Sequence, residues 1–161
     1  MKKSIAFLST VAIAIFVVAA CSKTNKATKR LIRAGEWKVT ELSVDGTNEA
    51  ELPKWEFSNC DPYEEVCVAK WENDEGGHAD FAWQFNKDGA EFTISHQAED
   101  EDAHAGHEHE HDHATEEAAA QAYAFSGKYS VVESDKNKMS FTSTSTVGYP
   151  GQTVVIVIEK K

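Results

Sequence analysis

Residues 81–95 read FAWQFNKDGAEFTIS and carry the strongest fold signal in the chain. On both sides of residues 86–89, large apolar side chains alternate with smaller or polar ones, which is the period of a half-buried β-strand. The four residues between the two runs have the length and chemistry of a hairpin connection built around a type I turn. The stretch therefore predicts two neighbouring antiparallel strands that share an aromatic face.

The same alternation recurs along the rest of the chain. It is found at Trp37–Val44, Trp55–Phe57, Val66–Trp71, Tyr123–Val131 and Met139–Phe141, and a continuous apolar run follows at Val154–Ile158. The apolar parity switches near Thr40-Glu41, which predicts a β-bulge. Only Ala27–Ala34 suggests a short helical turn. Short strands separated by turn residues are typical of an antiparallel barrel or sandwich, so we predict an all-β fold without a helical domain.

Three short motifs add a family resemblance. Gly35-Glu36-Trp37, which follows the helical turn, resembles the G-x-W motif of lipocalins. Residues 85–92 and Gly127-Lys128-Tyr129 resemble the lipocalin-like lipoproteins of Bacteroidetes, and the similarity spans about residues 31–160. The resemblance implies a small up-and-down β-barrel whose closed base is marked by Gly35 and Trp37. Where lipocalins carry an arginine near the last strand, this chain has only lysines. The alternative is another small β fold in which Trp37 is an ordinary core residue.

The N-terminus has the three-part layout of a secretion signal. A basic head is followed by the apolar run Ile5–Ala20 and then by Cys21. The residues before Cys21 resemble a bacterial lipobox, which implies cleavage after residue 20 and lipidation of Cys21. A transmembrane anchor and an ordinary signal peptide are the alternatives, although the run is shorter than the roughly 20 residues that span a bilayer. We therefore divide the chain into a signal peptide (1–20), a tether (21–30) and a barrel domain (31–161).

Charge and flanking residues indicate where the protein acts. The net charge of −11 excludes nucleic acid as a partner, because phosphate contacts dominate that kind of binding. Basic residues crowd the tether, where anionic lipid headgroups attract them. Ser22 replaces the aspartate that retains some lipoproteins in the inner membrane, and the acidic cluster used for surface export is absent. We expect a monomer anchored by lipid in the cell envelope, in the outer membrane and facing the periplasm.

Two cysteines remain beyond the lipobox. An exported protein enters an oxidising compartment, so Cys60 and Cys67 are predicted to form a disulfide. Closing so short a loop stabilises the fold by roughly 2 to 3 kcal/mol in the chain-entropy picture. A thiol metal site and free thiols are the alternatives.

The segment Glu99–Glu117 is the most unusual part of the sequence. It contains nine acidic residues, five histidines and no basic side chain. Such low hydrophobicity and high charge predict a long disordered loop, placed at residues 97–121 between two strands. Loops of this length in a compact domain are usually functional or serve as linkers.

Alternating histidines in this segment suggest a metal site. Neutral imidazole suits Zn²⁺, Cu²⁺ and Ni²⁺, and the interleaved carboxylates can act as ligands or hydrogen-bond the second ring nitrogen. No organic cofactor is indicated. A solvated acidic linker without a metal role is the alternative. The candidate ligands are His104, His107, His109, His111 and His113.

Function is predicted to be non-catalytic, since no nucleophile–base arrangement and no Gly-rich phosphate loop stand out. The first hypothesis is a metal-binding lipoprotein. The second is a carrier of a small hydrophobic ligand, as the lipocalin resemblance implies, and the third is an envelope interaction protein. For the carrier, the aromatic residues that could line a cavity are Trp55, Trp71, Phe81, Trp83, Phe85, Phe92, Tyr123 and Phe125.

Overall fold

The computed structural model describes residues 26–57, 60, 66–96 and 113–161. Two helices and nine strands make up these parts of the chain. In order they are α1 (26–34), β1 (Glu36–Val44), β2 (Thr47–Asn48), β3 (Lys54–Phe57), β4 (Cys67–Glu72), β5 (His78–Phe85), β6 (Glu91–Ser95), α2 (His113–Ala124), β7 (Gly127–Ser134), β8 (Lys138–Ser145) and β9 (Pro150–Lys160).

The strands form a closed barrel. From β3 to β9 each strand pairs antiparallel with the next one, and β1 pairs with β3. The sheet closes because β9 also pairs with β1, from Trp37↔Lys160 to Val44↔Val154. β2 extends β1 as a two-residue hairpin strand outside the ring. The predicted all-β, up-and-down antiparallel barrel is confirmed, with eight strands in the ring.

Side-chain alternation explains which face of each strand points inward. In β5 the residues Ala79, Phe81, Trp83 and Phe85 are buried and their neighbours are more exposed. In β1 the register shifts between Val39 and Glu41, at the position of the predicted bulge. That shift keeps both Val39 and Leu42 inside although they lie three residues apart.

α1 covers the end of the barrel where β1 begins. Gly35 ends the helix with a φ of 71°, a conformation that glycine adopts without strain. The Trp37 indole donates a hydrogen bond to the Leu31 carbonyl oxygen at 3.2 Å. An Arg30 guanidinium nitrogen lies 2.7 Å from the Ser134 carbonyl oxygen, which joins α1 to the end of β7. Leu31 and Trp37 are fully buried, so this end is firmly packed.

The predicted tether, residues 21–30, is too long. Residues 26–30 belong to α1, and Ala27 and Thr28 are buried. The reason is helical spacing, since Ala27 and Leu31 lie four residues apart and share one face of α1. Cys21 and the signal segment lie outside the described residues.

A twelve-residue helix, α2, corrects two further expectations. Its residues fall partly in the predicted disordered loop 97–121, and its last turn contains Tyr123, which was assigned to a strand. Six of its twelve residues are alanine, the strongest helix former. The acids and His113 at its start masked this propensity. The strand after it begins only at Gly127, and residues 97–112 lie outside the described part of the chain.

The two cysteines after the lipobox are joined. Cys60 and Cys67 form a disulfide with their Cα atoms 5.5 Å apart. Cys67 opens β4, and both cysteines belong to the buried core. The bond therefore ties Cys60 to the barrel wall.

Candidate ligand-binding site

The interior of the barrel is built from aromatic rings. Trp55 packs among several of them, with its ring centroid 5.3 Å from that of Trp71 and 5.5 Å from that of Phe81. Further contacts extend the cluster across the interior, as between Phe92 and Phe141 at 4.7 Å. The largest fully buried side chains are Trp37, Trp55, Trp71, Trp83, Tyr129, Phe57, Phe81, Phe92, Phe125 and Phe141.

The four tryptophans differ in how their indole N–H groups are satisfied. Trp37 donates to the Leu31 carbonyl, and Trp71 donates to Gln121 Oε1 at 2.8 Å. Trp55 and Trp83 are 0% and 1% exposed, yet among the described residues their Nε1 atoms have no acceptor. Buried polar groups are almost always hydrogen-bonded, so each such exception requires an explanation.

The two unpaired indoles share the same neighbours. The Phe57 ring centroid lies 6.0 Å from that of Trp55 and 5.1 Å from that of Trp83. The Phe92 centroid lies 6.4 Å and 6.0 Å from the same two tryptophans. Trp55 and Trp83 therefore contact one common pair of rings.

The interior is uncharged in the part of the chain described here. Its buried polar residues are Thr28, Ser43, Asn73, Ser126, Ser143 and Thr146, without a lysine, arginine, aspartate or glutamate. The Tyr129 hydroxyl donates to the Phe125 carbonyl oxygen, and burial raises the pKa of the Tyr129 phenol. The phenol consequently stays neutral at physiological pH.

α2 lies across the other end of the barrel. It contacts β4 and β5, beside the Asn73–Gly77 turn that joins them. Asn73 Nδ2 donates to the Ala114 carbonyl oxygen at 2.8 Å, next to the first turn of the helix. Gln121 accepts the Trp71 bond and donates from Nε2 to the Glu51 carbonyl oxygen at 3.3 Å. Polar bonds thus fasten α2 near both of its ends.

The apolar packing of α2 is light. Its buried residues are Ala114, Ala118 and Ala122, each of which contributes one methyl group. At about 0.8 kcal/mol for each buried carbon, three methyl groups supply roughly 2 to 3 kcal/mol. The opposite end is covered instead by Leu31 over Trp37. α2 is therefore the cover that is easier to displace.

One glycine permits the close approach of α2. A Cβ atom built on Gly77 would overlap the Ala114 carbonyl group and crowd the Thr115 nitrogen. The Gly77 amide also donates to Asn73 Oδ1 at 2.8 Å, which holds the turn in place. The close packing of α2 against the Asn73–Gly77 turn therefore requires glycine at position 77.

Two clefts lie on the outer surface of the barrel. One, of about 330 Å³, is lined by Glu36, Lys54, Glu72 and Lys161 together with Gly35 and Glu56. Its lysines are paired, Lys54 with Glu72 at 3.1 Å and Lys161 with Glu36 at 2.6 Å. The hydrogen bond that Lys54 donates to the Glu72 carboxylate raises the pKa of Lys54. The other, of about 360 Å³, is lined mainly by hydroxyl side chains of β7 and β8.

The predicted metal ligands fall mostly outside the described residues, among them His104, His107, His109 and His111. His113 opens α2, with a side chain 99% exposed and Nδ1 3.9 Å from Glu116 Oε2. Within the described ranges no group of three or more metal-ligating side chains is gathered around one point. His96 is tied to the barrel instead, with Nδ1 2.6 Å from the Asp80 carbonyl oxygen.

The predicted cavity-lining set needs one correction. Seven of its eight residues are buried, but Tyr123 lies on α2 with 45% of its surface exposed. Helical geometry places it opposite the alanine face. Sequence reasoning also missed Asn73, Gly77 and Gln121, which seat α2. The four-residue spacing of Ala114, Ala118 and Ala122 was the available signal for this helix.

Comparisons with known proteins bear on the shape of the chain alone. No family model matches it, and no curated protein matches it. Among solved structures, Japanin from Rhipicephalus appendiculatus bound to cholesterol is similar, with 9% sequence identity and a TM-score of 0.49. The alignment covers 80% of this chain and 76% of Japanin. Within the described residues, neither helix has the length and apolar character needed to cross a bilayer.

Proposed function

We propose that this chain is a lipid-anchored carrier that holds a small apolar ligand inside its barrel. The observation that carries the proposal is the asymmetry of the two ends. An aromatic interior is sealed on one side by Leu31 and Trp37 and on the other by a helix that buries only alanine methyl groups. A binding site needs such an entrance, because a ligand cannot pass between paired strands.

The packing of the interior sets the size of the ligand. The rings contact one another at centroid distances down to 4.7 Å, so a ligand has to replace ring–ring contacts when it enters. A molecule of one or two rings achieves this with modest side-chain movement.

Cys21, as the acylated residue, holds the carrier at the membrane, for which we propose the periplasmic face of the outer membrane.

Titration of the full chain carrying Cys21→Ser, which cannot be acylated, tests the carrier proposal. Ethylbenzene and acetophenone are suitable probes, followed by the fluorescence of the buried tryptophans and by calorimetry. We expect saturable one-to-one binding at micromolar concentrations, because each probe gains burial among aromatic rings. Non-saturable binding that grows linearly with probe concentration would contradict the proposal.

A second function has its own supporting observation. β6 and β7 pair directly, from Glu91↔Ser130 to Ile94↔Gly127, although the histidine-rich segment lies between them in sequence. The register of the barrel is thus complete without residues 97–112, so strand pairing does not require the four histidines among them. We propose that His104, His107, His109, His111 and His113 bind Zn²⁺, Cu²⁺ or Ni²⁺.

Replacing these five histidines with glutamine should weaken Zn²⁺ binding at least tenfold at neutral pH. Imidazole nitrogen is the ligand that late first-row metals prefer here, and glutamine keeps the length and polarity of the segment. Calorimetry at neutral and mildly acidic pH measures the effect, with weaker wild-type binding expected where the imidazoles are protonated. The control is His78→Gln, an exposed histidine in β5, whose affinity should equal that of wild type. Equal binding by the five-site variant would reduce the segment to a linker.

A further inference from the structure

We infer that the ligand of the proposed carrier site is a neutral molecule with a hydrogen-bond acceptor, such as a carbonyl or ether oxygen, that binds the Nε1 atoms of Trp55 and Trp83. The inference rests on the proposed carrier function and specifies the chemistry of its ligand. The supporting observation is the pair of buried indole donors that find no acceptor in the part of the chain that the structure describes.

Strand register places both donors on the inner face of the barrel. Trp55 pairs with Trp37 on one side and Trp71 on the other, and both partners are buried. Trp83 pairs with Cys67 and Ile94, which are also buried. Neither indole can reach solvent from these positions. Each N–H has therefore lost its hydration without gaining a bond in return.

The contrast with the other two tryptophans shows that this is a local property. Trp37 and Trp71 sit near the two ends of the barrel, and each finds an acceptor in a helix. Trp55 and Trp83 contact aromatic rings instead, and rings offer no comparable acceptor. A ligand that carries an acceptor would give Trp55 and Trp83 the hydrogen bond that the other two indoles already have.

The charge of the interior selects a neutral acceptor. A carboxylate placed among these rings would need a buried cation, and the buried residues in the described chain include none. Two indole donors can stabilise a carbonyl or ether oxygen, which carries no net charge. The inferred ligand class is therefore a small aromatic or alicyclic ketone, aldehyde, ester or ether, as opposed to a hydrocarbon or a fatty acid.

Acetophenone and ethylbenzene form a matched pair for the test, because they are of similar size and differ by one carbonyl oxygen. In the full chain carrying Cys21→Ser, acetophenone should bind about tenfold more tightly than ethylbenzene, as two hydrogen bonds of ordinary strength predict. Trp55→Phe and Trp83→Phe keep an aromatic ring and remove the donor. Each should weaken acetophenone binding about threefold and leave ethylbenzene unchanged, and the double variant should abolish the preference.

Tyr123→Phe is the control, since it removes a donor from an exposed ring on α2 and leaves the interior unchanged, and it should keep the tenfold preference. The wild-type ratio alone tests the inference if a variant fails to fold. Equal affinities for both probes, or a preference that survives the double variant, would overturn the inference and leave the carrier proposal standing, with internal water as the partner of the indoles. Binding of neither probe would overturn both.

Discussion

The Phe92→Ala variant should lose about 3 to 5 kcal/mol of unfolding free energy, the range measured for deleting a buried phenylalanine ring. Phe92 is fully buried, and its ring contacts those of Trp55, Trp83, Phe85 and Phe141. No single ring can move into the vacated space without losing its own contacts. The variant should therefore contain a cavity at the centre of the interior.

Urea unfolding followed by circular dichroism measures this loss. Tyr123→Ala serves as the comparison, because Tyr123 is 45% exposed on α2 and removal of its ring should cost less than about 0.5 kcal/mol. The cavity in Phe92→Ala should also admit ethylbenzene more readily than the wild-type interior does, since dry apolar cavities bind such molecules. A loss below about 1 kcal/mol would show that the rings are not tightly packed around Phe92.

The Gly77→Ala variant should detach the first turn of α2 from the barrel and lower the unfolding free energy by about 3 kcal/mol. A methyl group at this position overlaps the Ala114 carbonyl, which is backbone and cannot turn aside. Overpacking of this kind typically costs about 1 to 3 kcal/mol, and the bond from Asn73 to Ala114 is lost as well. With the entrance loosened, probe association and dissociation should both accelerate.

Hydrogen exchange of the α2 amides, together with stopped-flow binding of acetophenone, separates local opening from general destabilisation. In Gly77→Ala the α2 amides should lose most of their protection through local opening, while those of β8 and β9 stay the most protected and exchange only through unfolding of the whole barrel. Glu75→Ala, an exposed change in the same turn, should leave both readouts at wild-type values. Unchanged exchange in α2 together with unchanged binding rates would mean that this helix does not control entry.

Sequence alone predicted the strands because period-two alternation is a local property, and the lipocalin resemblance favoured a barrel over a sandwich. The hairpin at residues 81–95 and the bulge at Thr40-Glu41 follow from side-chain parity, and both are found where they were expected. α2 was missed because its alanines are apolar yet small. Their spacing is helical, but acids and histidines dominate the average composition of the segment. Tyr123 and Phe125 fall on the parity of the following strand, so the end of this helix also fits the two-residue period of a strand.

The candidate site was harder to predict, because it depends on contacts between distant parts of the chain. The aromatic residues of the interior could be named in advance, yet nothing local distinguishes Trp55 and Trp83 from Trp37 and Trp71. Whether an indole finds an acceptor depends on helices that pack against the barrel ends, such as the placement of Gln121 beside Trp71. The role of Gly77 likewise appears only when α2 is seated.

The pairing of β9 with β1 also affects how this protein behaves when it is crowded. Open sheets present unpaired N–H and C=O groups at their edges, and such edges template the addition of strands from other molecules. Here each of the eight strands of the ring has a hydrogen-bonded neighbour on both sides, and β2 has only two residues. Copies concentrated on a membrane by the proposed lipid anchor would collide often. The described residues offer such copies almost no unpaired strand edge on which to polymerise.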